Sequence, residues 1–242
     1  MDGGTSSNGA GEGGLRIRAV LFDAGNTLVF VDPVRVLALL AELGVQAEQA
    51  RFSEAERGAR LHLTRQLQSG ATGTEAHLWR EYFGNLLRLS GVPEDLGAEA
   101  GRRLKEAHDT AHLWSWIAED TPSALRALSA DGYRLAVVSN ADGRVEALLR
   151  DGGLGEHFEF VIDSHVFGVE KPDPRIFLAA VERLGLAPAE CLYVGDLYPV
   201  DVLGARGAGL QAVLVDPWDH FELDVDRVRS VAELPEWLRG RG

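Results

Sequence analysis

Asp23 ends the apolar run Ile17-Arg18-Ala19-Val20-Leu21-Phe22 and is followed by Ala24-Gly25-Asn26. A short β-rich run that stops abruptly at an acid reads as a buried parallel strand with a carboxylate at its end. Other polar groups stand in comparable places. Ser139-Asn140 follows Leu135-Ala136-Val137-Val138, and Gly195-Asp196 follows Leu192-Tyr193-Val194, with Asp201 five residues beyond. Lys171 leads into the helix ahead of that last strand. In an open parallel sheet, ligands bind at the carboxyl ends of the strands, near a topological switch point. A nucleophile candidate, a hydroxyl, an amide, an ammonium and two more carboxylates can therefore meet at one edge.

Taken singly, each residue is read equally well as a turn or cap. Their joint order suggests chemistry. Asp23, Asp196 and Asp201 would repel one another, and their pKa values would rise, unless a cation intervened. Mg²⁺ suits that place, because it takes oxygen ligands and bridges carboxylates to phosphate oxygens. Lys171, the Ser139 hydroxyl and nearby N–H groups can hold the oxygens of a transferring phosphoryl group. Asp23 can then attack phosphorus to give an aspartyl phosphate, which water cleaves.

The rest of the chain supplies a scaffold for these residues. Apolar runs at 17–22, 135–138, 158–162, 192–194 and 212–215 alternate with helical segments. That rhythm predicts an α/β fold built on a parallel sheet. Thr121-Pro122 and Asp173-Pro174 read as helix starts, and Gly185 stops the second helix. Residues 31–117 break the rhythm. They contain no convincing strand; Asp32-Pro33 starts a helix that Gly44 ends, and Trp79, Tyr82, Phe83, Leu86 and Leu87 share one helical face. The expected division is a disordered tail at 1–14, a core domain at 15–30 and 118–242, and an inserted helical cap domain at 31–117.

Composition narrows the partners. The formal net charge of −13 disfavours nucleic acid and anionic membrane surfaces. The one cysteine, Cys191, permits no intrachain disulfide, which fits a cytoplasmic location. No run is long and uncharged enough for a transmembrane helix, and no signal peptide is read. Monomer and dimer are equally compatible with the sequence.

With these residues in place, the sequence resembles the haloacid dehalogenase (HAD) superfamily, most of whose members are Mg²⁺-dependent phosphatases. FDAGNTL, VVSN, KPDPRIF and GDLYPVD resemble its four motifs, and the likeness covers essentially everything after the tail. The resemblance implies a Rossmann-like sheet of strand order 3-2-1-4-5 and a helical cap in the first insertion position. It implies Asp23 as nucleophile. It implies metal contacts from Asp23, the Gly25 carbonyl and Asp196, with Asp201 in support. Ser139 and Lys171, with Asn140, would hold the phosphoryl group of a small phosphorylated substrate.

One position departs from the pattern. Family phosphatases carry a second Asp two residues after the nucleophile, as the acid that protonates the leaving group; here that residue is Gly25. A general acid contributes about 10²–10⁴ in rate, or roughly 3–5 kcal/mol of barrier. A subgroup of HAD-like hydrolases similarly lacks this Asp, and the sequence resembles that subgroup most. The gap leaves several readings open: a phosphatase for good leaving groups such as acyl phosphates; rescue by a histidine of the cap (His62, His77, His108 or His112); a metal-independent 2-haloacid dehalogenase; or a non-catalytic binder of phosphate or metal. The acidic Gly195-Asp196 pair argues against dehalogenation. His108 and His112, one turn apart, can share a metal, although no third ligand is indicated. Specificity should lie in the inserted helices, where Arg35, Arg51, Arg57, Arg60, Arg65 and Arg80 read mostly as surface charges.

Overall fold

The computed structural model of the protein describes residues 16–69, 75–219 and 223–241. The expected tail at 1–14 lies outside the described residues.

Alternation of apolar runs with helices produces the expected layered α/β architecture. Strands β1 (Ala19–Phe22), β4 (Arg134–Ser139), β5 (Val161–Asp163), β6 (Cys191–Gly195), β7 (Gln211–Val215) and β8 (Arg227–Val228) form one sheet of order β5-β4-β1-β6-β7-β8. All its pairings are parallel. The expected order 3-2-1-4-5 is this order without its last strand. β8 is two residues long, too short to produce a periodic signal. β5 begins at Val161, later than the run at 158–162 suggested.

Helices α5 (Thr121–Ala130), α6 (Val145–Asp151), α7 (Ser164–Phe167), α8 (Pro174–Leu184), α9 (Leu203–Gly207) and α10 (Leu234–Arg239) complete the α/β part. They cover both faces of the sheet with apolar side chains. Leu125 and Leu149 pack with Val20 and Phe22 on one face, and Ile176 and Phe177 pack with Leu21 and Tyr193 on the other. The start of α8 follows the expected chemistry: the Asp173 carboxylate accepts from the Arg175 N–H at 2.9 Å, and Gly185 closes the helix at φ 63°. Thr121 is not the cap of α5. It lies inside the first turn, after Asp120.

Between β1 and α5 lie α1 (Pro33–Glu42), α2 (Gln49–Gln68), α3 (Glu75–Leu89) and α4 (Glu94–Thr110). Asp32 caps α1 through the N–H groups of Val34 and Arg35. These helices enclose an apolar cluster of their own, including Phe52, Tyr82, Phe83, Leu86 and Leu104. The reading that this stretch holds no strand needs correction. β2 (Phe30–Val31) and β3 (Trp114–Trp116) pair antiparallel where the chain leaves and re-enters the α/β part. The ribbon is too short to alternate visibly, yet it fixes Trp114 beside the carboxyl end of β1.

Candidate active site

β1 is flanked by β4 and β6, so the residues following these three strands converge. Asp23, Ser139 and Asp196 are all buried. The Ser139 hydroxyl donates to Asp23 Oδ1 at 3.0 Å, and Lys171 Nζ donates to the same oxygen at 2.7 Å. Lys171 also donates to Asp201 Oδ1 at 2.7 Å and to the Tyr193 hydroxyl at 2.8 Å. Tyr193 in turn donates to the Val138 carbonyl at 2.6 Å. The ammonium is thus held by three oxygen partners anchored in β6, its following loop and β1, which suits a cation buried away from water. Asn140 contacts the backbone around Lys171 rather than the nucleophile. Its Oδ1 accepts from the Lys171 N–H at 2.7 Å, and its Nδ2 donates to the Lys171 carbonyl at 3.0 Å.

The loop after β6 is shaped by close packing. Asp201 Oδ2 accepts from the Leu197 N–H at 2.9 Å, which folds the carboxylate back over the strand end. A Cβ at Gly195 would stand 2.4 Å from Asp201 Cγ, so only glycine leaves room. Asp196 meets a partner that the sequence did not reveal. Arg60 of α2 donates from Nη2 to Asp196 Oδ2 at 3.1 Å, and both residues are buried. The reading of Arg60 as a surface charge is therefore corrected. The signal lay in a helix face that also carries Phe52, Ala55, Ala59 and Leu63, all buried.

Burial raises the Asp23 carboxyl above its usual value, with Lys171 opposing and Asp201 reinforcing the shift. Burial likewise pushes Asp196 to about 7, against the pull of Arg60 and with repulsion from Asp201 and Asp23. Carboxylate oxygens of Asp23, Asp196 and Asp201 lie within 4.8 Å of one another. A buried, all-oxygen, net-negative donor set of this kind fits a hard divalent cation.

Beside Gly25 stands an aromatic ring. A Cβ there would lie 3.7 Å from Trp114 Nε1, which donates to Asn26 Oδ1 at 3.2 Å. Asn26 takes a left-handed conformation at φ 56°, which Asn tolerates better than most side chains. A cavity of about 160 Å³ opens over Asp23, and its wall includes Leu63, Leu78, Trp79, Tyr82, Trp114 and Leu148.

His108 and His112 also line this cavity, and Asp142 joins them as the third potential ligand that the sequence did not indicate. The three lie within reach of one another. His108 Nδ1 accepts from the Leu113 N–H at 3.3 Å and its Nε2 faces Asp142 Oδ2 at 3.4 Å. Arg144 donates to Asp142 from Nε and Nη2. Burial tends to raise the Asp142 carboxyl, but His108 and Arg144 outweigh it and hold the group well below the usual range. Burial lowers His112 to about 4, with neighbouring His108 adding to the effect. Cys191 is a buried core residue whose thiol is raised to about 11 by burial.

Comparison with known proteins shows the family. A family model for haloacid dehalogenase-like hydrolases matches residues 17–209. Haloacid dehalogenase-like hydrolase domain-containing protein 3 of Mus musculus is 32% identical over 211 residues, covering 83% of this chain and 82% of that protein. Ribulose-1,5-bisphosphate 5-phosphatase of Halopiger xanaduensis is 30% identical over 224 residues, covering 89% and 91%. Among solved structures, the magnesium-bound HAD-hydrolase YfnB of Bacillus subtilis superposes with a TM-score of 0.67 at 21% identity, covering 92% of this chain and 99% of that one. With the motifs at the strand ends and four-fifths of the chain matched, the protein belongs to the haloacid dehalogenase-like hydrolase family.

Proposed function

We propose that this hydrolase is a Mg²⁺-dependent phosphohydrolase that acts on a small phosphorylated metabolite through an aspartyl phosphate on Asp23. The observation that carries the reading is the Asp23 carboxylate, held by Ser139 and Lys171 beside Asp196 at one sheet edge. The phosphatase named among its relatives supports the same class. On this reading Asp23, the Gly25 carbonyl and Asp196 hold the metal, with Asp201 in support. When bound, Mg²⁺ supplies positive charge that offsets the carboxylates and the phosphoryl oxygens.

The chain's own residues do the rest. Lys171 opposes the desolvation that raises the buried Asp23 carboxyl, and lends charge to the phosphoryl oxygens. Ser139 orients the attacking carboxylate and donates to a phosphoryl oxygen as the substrate enters. Asn140 sets Lys171 through its backbone and offers its amide to the phosphate. Asp201 fixes Lys171 from the other side. Asp23 attacks phosphorus, the leaving group departs with the electron pair of its P–O bond, and water cleaves the acyl phosphate. Helices α1–α4 are proposed as the cap that closes over the substrate. The described residues contain no helix long and apolar enough to cross a membrane, and a cytoplasmic location is proposed from the unpaired Cys191.

Phosphate release from phenyl phosphate and acetyl phosphate, with Mg²⁺ and with chelator, tests the reading. Release that requires Mg²⁺ and vanishes in Asp23→Asn is expected. No release from either substrate, with Asp23→Asn indistinguishable from wild type, overturns it and leaves a binding protein. Metal-independent chloride release from a 2-chloro acid would instead identify a dehalogenase.

A further inference from the structure

We propose that the leaving group of the natural substrate is a single aromatic ring joined through its phenolic oxygen: the enzyme is selective for compact aryl phosphates. This rests on the phosphohydrolase reading above and adds the substrate class.

The cavity over Asp23 has the size and lining for such a group. At about 160 Å³ it admits only a compact group, and its polar end at Asp23, Ser139 and Lys171 gives way to an apolar and aromatic part. The apolar part of its wall holds Trp79, Tyr82, Trp114, Leu63, Leu78 and Leu148, beside the polar His108, His112 and Asp142. Indole and phenol rings favour offset or edge contacts with another ring. Trp114 meets Phe83 edge-on at 5.3 Å, and Tyr82 meets the same ring at 5.1 Å, so the aromatic wall is braced from behind.

The charged groups point the same way. Among the described residues lining the cavity, Lys171 supplies the only ammonium or guanidinium, and it is committed to Asp23, Asp201 and Tyr193. Arg60, which is not among the residues lining this cavity, is committed to Asp196. A second phosphate or a carboxylate on the substrate would find no uncommitted lysine or arginine among these lining residues, and a polyhydroxylated chain would lose water against Leu63, Leu78 and Leu148.

The missing acid sets the chemistry of the leaving oxygen. Gly25 donates no side-chain proton; of the two histidines in the cavity wall, His108 turns Nε2 to Asp142 at 3.4 Å and accepts at Nδ1 from the Leu113 N–H, and burial holds His112 at about 4. The leaving oxygen must therefore carry its electron pair away as an anion. A phenol, with a pKa of about 10 like that of tyrosine, does this far more easily than an alkyl alcohol, which resembles water at about 15.7. The Asp23 carboxylate forms a bond to phosphorus, the P–O(aryl) bond breaks, and phenolate leaves to take its proton from solvent. Water then attacks phosphorus, the P–O(Asp23) bond breaks, and inorganic phosphate is released.

Because aryl phosphates are intrinsically more reactive, binding and turnover are measured separately. Tryptophan fluorescence, with Trp79 and Trp114 in the cavity wall, is titrated with phenylphosphonate and with methylphosphonate in the presence of Mg²⁺. Phenylphosphonate should bind at least about tenfold more tightly, given the apolar area a ring buries. Trp114→Leu should narrow that ratio. In parallel, kcat/KM is compared for phenyl phosphate, ethyl phosphate and glycerol phosphate. Equal binding of the two phosphonates, or turnover of the alkyl esters as fast as the aryl ester, overturns the proposal while the phosphohydrolase reading stands. Tight, ring-dependent phosphonate binding without turnover of any ester keeps the aryl pocket and overturns the phosphohydrolase reading. The wild-type titration decides the matter even if Trp114→Leu does not fold.

Discussion

Arg60 of α2 reaches Asp196 at the carboxyl end of β6, with Nη2 3.1 Å from Oδ2 and side chains only 8% and 4% exposed. The pair joins the inserted helices to the sheet edge at a proposed metal ligand. Its guanidinium lends positive charge to the same carboxylate that a divalent cation would use.

Removing the guanidinium leaves Asp196 buried and uncompensated. Arg60→Met should lower unfolding free energy by about 3–5 kcal/mol in metal-free buffer, the range for breaking a buried pair from one side. Mg²⁺ should restore more stability to Arg60→Met than it adds to wild type. Urea melts with and without Mg²⁺ measure both; an identical Mg²⁺ increment in the two proteins would separate Arg60 from the metal site.

Lys171 balances Asp23 and Asp201 together. Lys171→Met should lose phosphate release and also destabilise the fold by about 3–5 kcal/mol, because two carboxylates are left facing each other without their shared cation. Asp23→Asn removes the nucleophile but keeps a hydrogen-bonding side chain of similar size. It should abolish turnover with a far smaller change in melting temperature. Comparable stability losses in the two variants would contradict this division of labour.

Restoring the absent acid tests why Gly25 matters. A Cβ at this position makes only an ordinary contact with Trp114 at 3.7 Å. Gly25→Asp, alone or with Trp114→Ala to open space, should speed hydrolysis of ethyl phosphate by up to about 10²–10⁴. Phenyl phosphate should gain much less, since phenolate needs little help. A uniform gain across leaving groups would point to altered binding instead.

His112 makes the protein acid-sensitive in a definite window. Its folded pKa of about 4 lies below the usual 6.5, so the unfolded chain binds a proton that the folded chain refuses between those values. Its contribution to stability therefore falls as pH drops, by about 1–2 kcal/mol from pH 7 to pH 5. Asp196, raised to about 7 by burial, works in the opposite direction. Comparing His112→Gln with wild type cancels that opposing effect; the difference in unfolding free energy between the two proteins should shift by about 1–2 kcal/mol across pH 7 to pH 5. A constant difference across this range would contradict it.

Gly195→Ala should disturb the site from within the strand. The added methyl would overlap Asp201 Cγ, which it approaches to 2.4 Å. Overpacking of this kind costs about 1–3 kcal/mol. It should also displace Asp201 from Lys171, so the melting temperature and phosphate release fall together.

The residues at the strand ends were legible because their signals are local. Buried parallel strands are continuous apolar runs, so Ala19–Phe22 and Leu192–Val194 are visible in the sequence, and each marks the polar residues at its carboxyl end. Asp32-Pro33 and Asp173-Pro174 carry their own capping chemistry, and Gly185 its own left-handed stop. Strand order was implied by the motifs' resemblance to a known family, and the sheet places β1 between β4 and β6 accordingly. The two-residue strands at Phe30–Val31 and Arg227–Val228 are too short for any periodicity, and their pairing rests on tertiary neighbours.

Local pattern thus placed Asp23, Ser139, Lys171, Asp196 and Asp201 at the ends or loops of the right elements, because chain direction alone carries them to one sheet edge. Tertiary packing decided what surrounds them. Arg60 meets Asp196 across 136 positions of sequence, and Trp114 meets Asn26 across 88. Asp142 meets His108 only once β4 and α4 have docked. A side chain's period reports which face it occupies, whereas its partner is chosen when separate elements pack and a buried charge must find its complement.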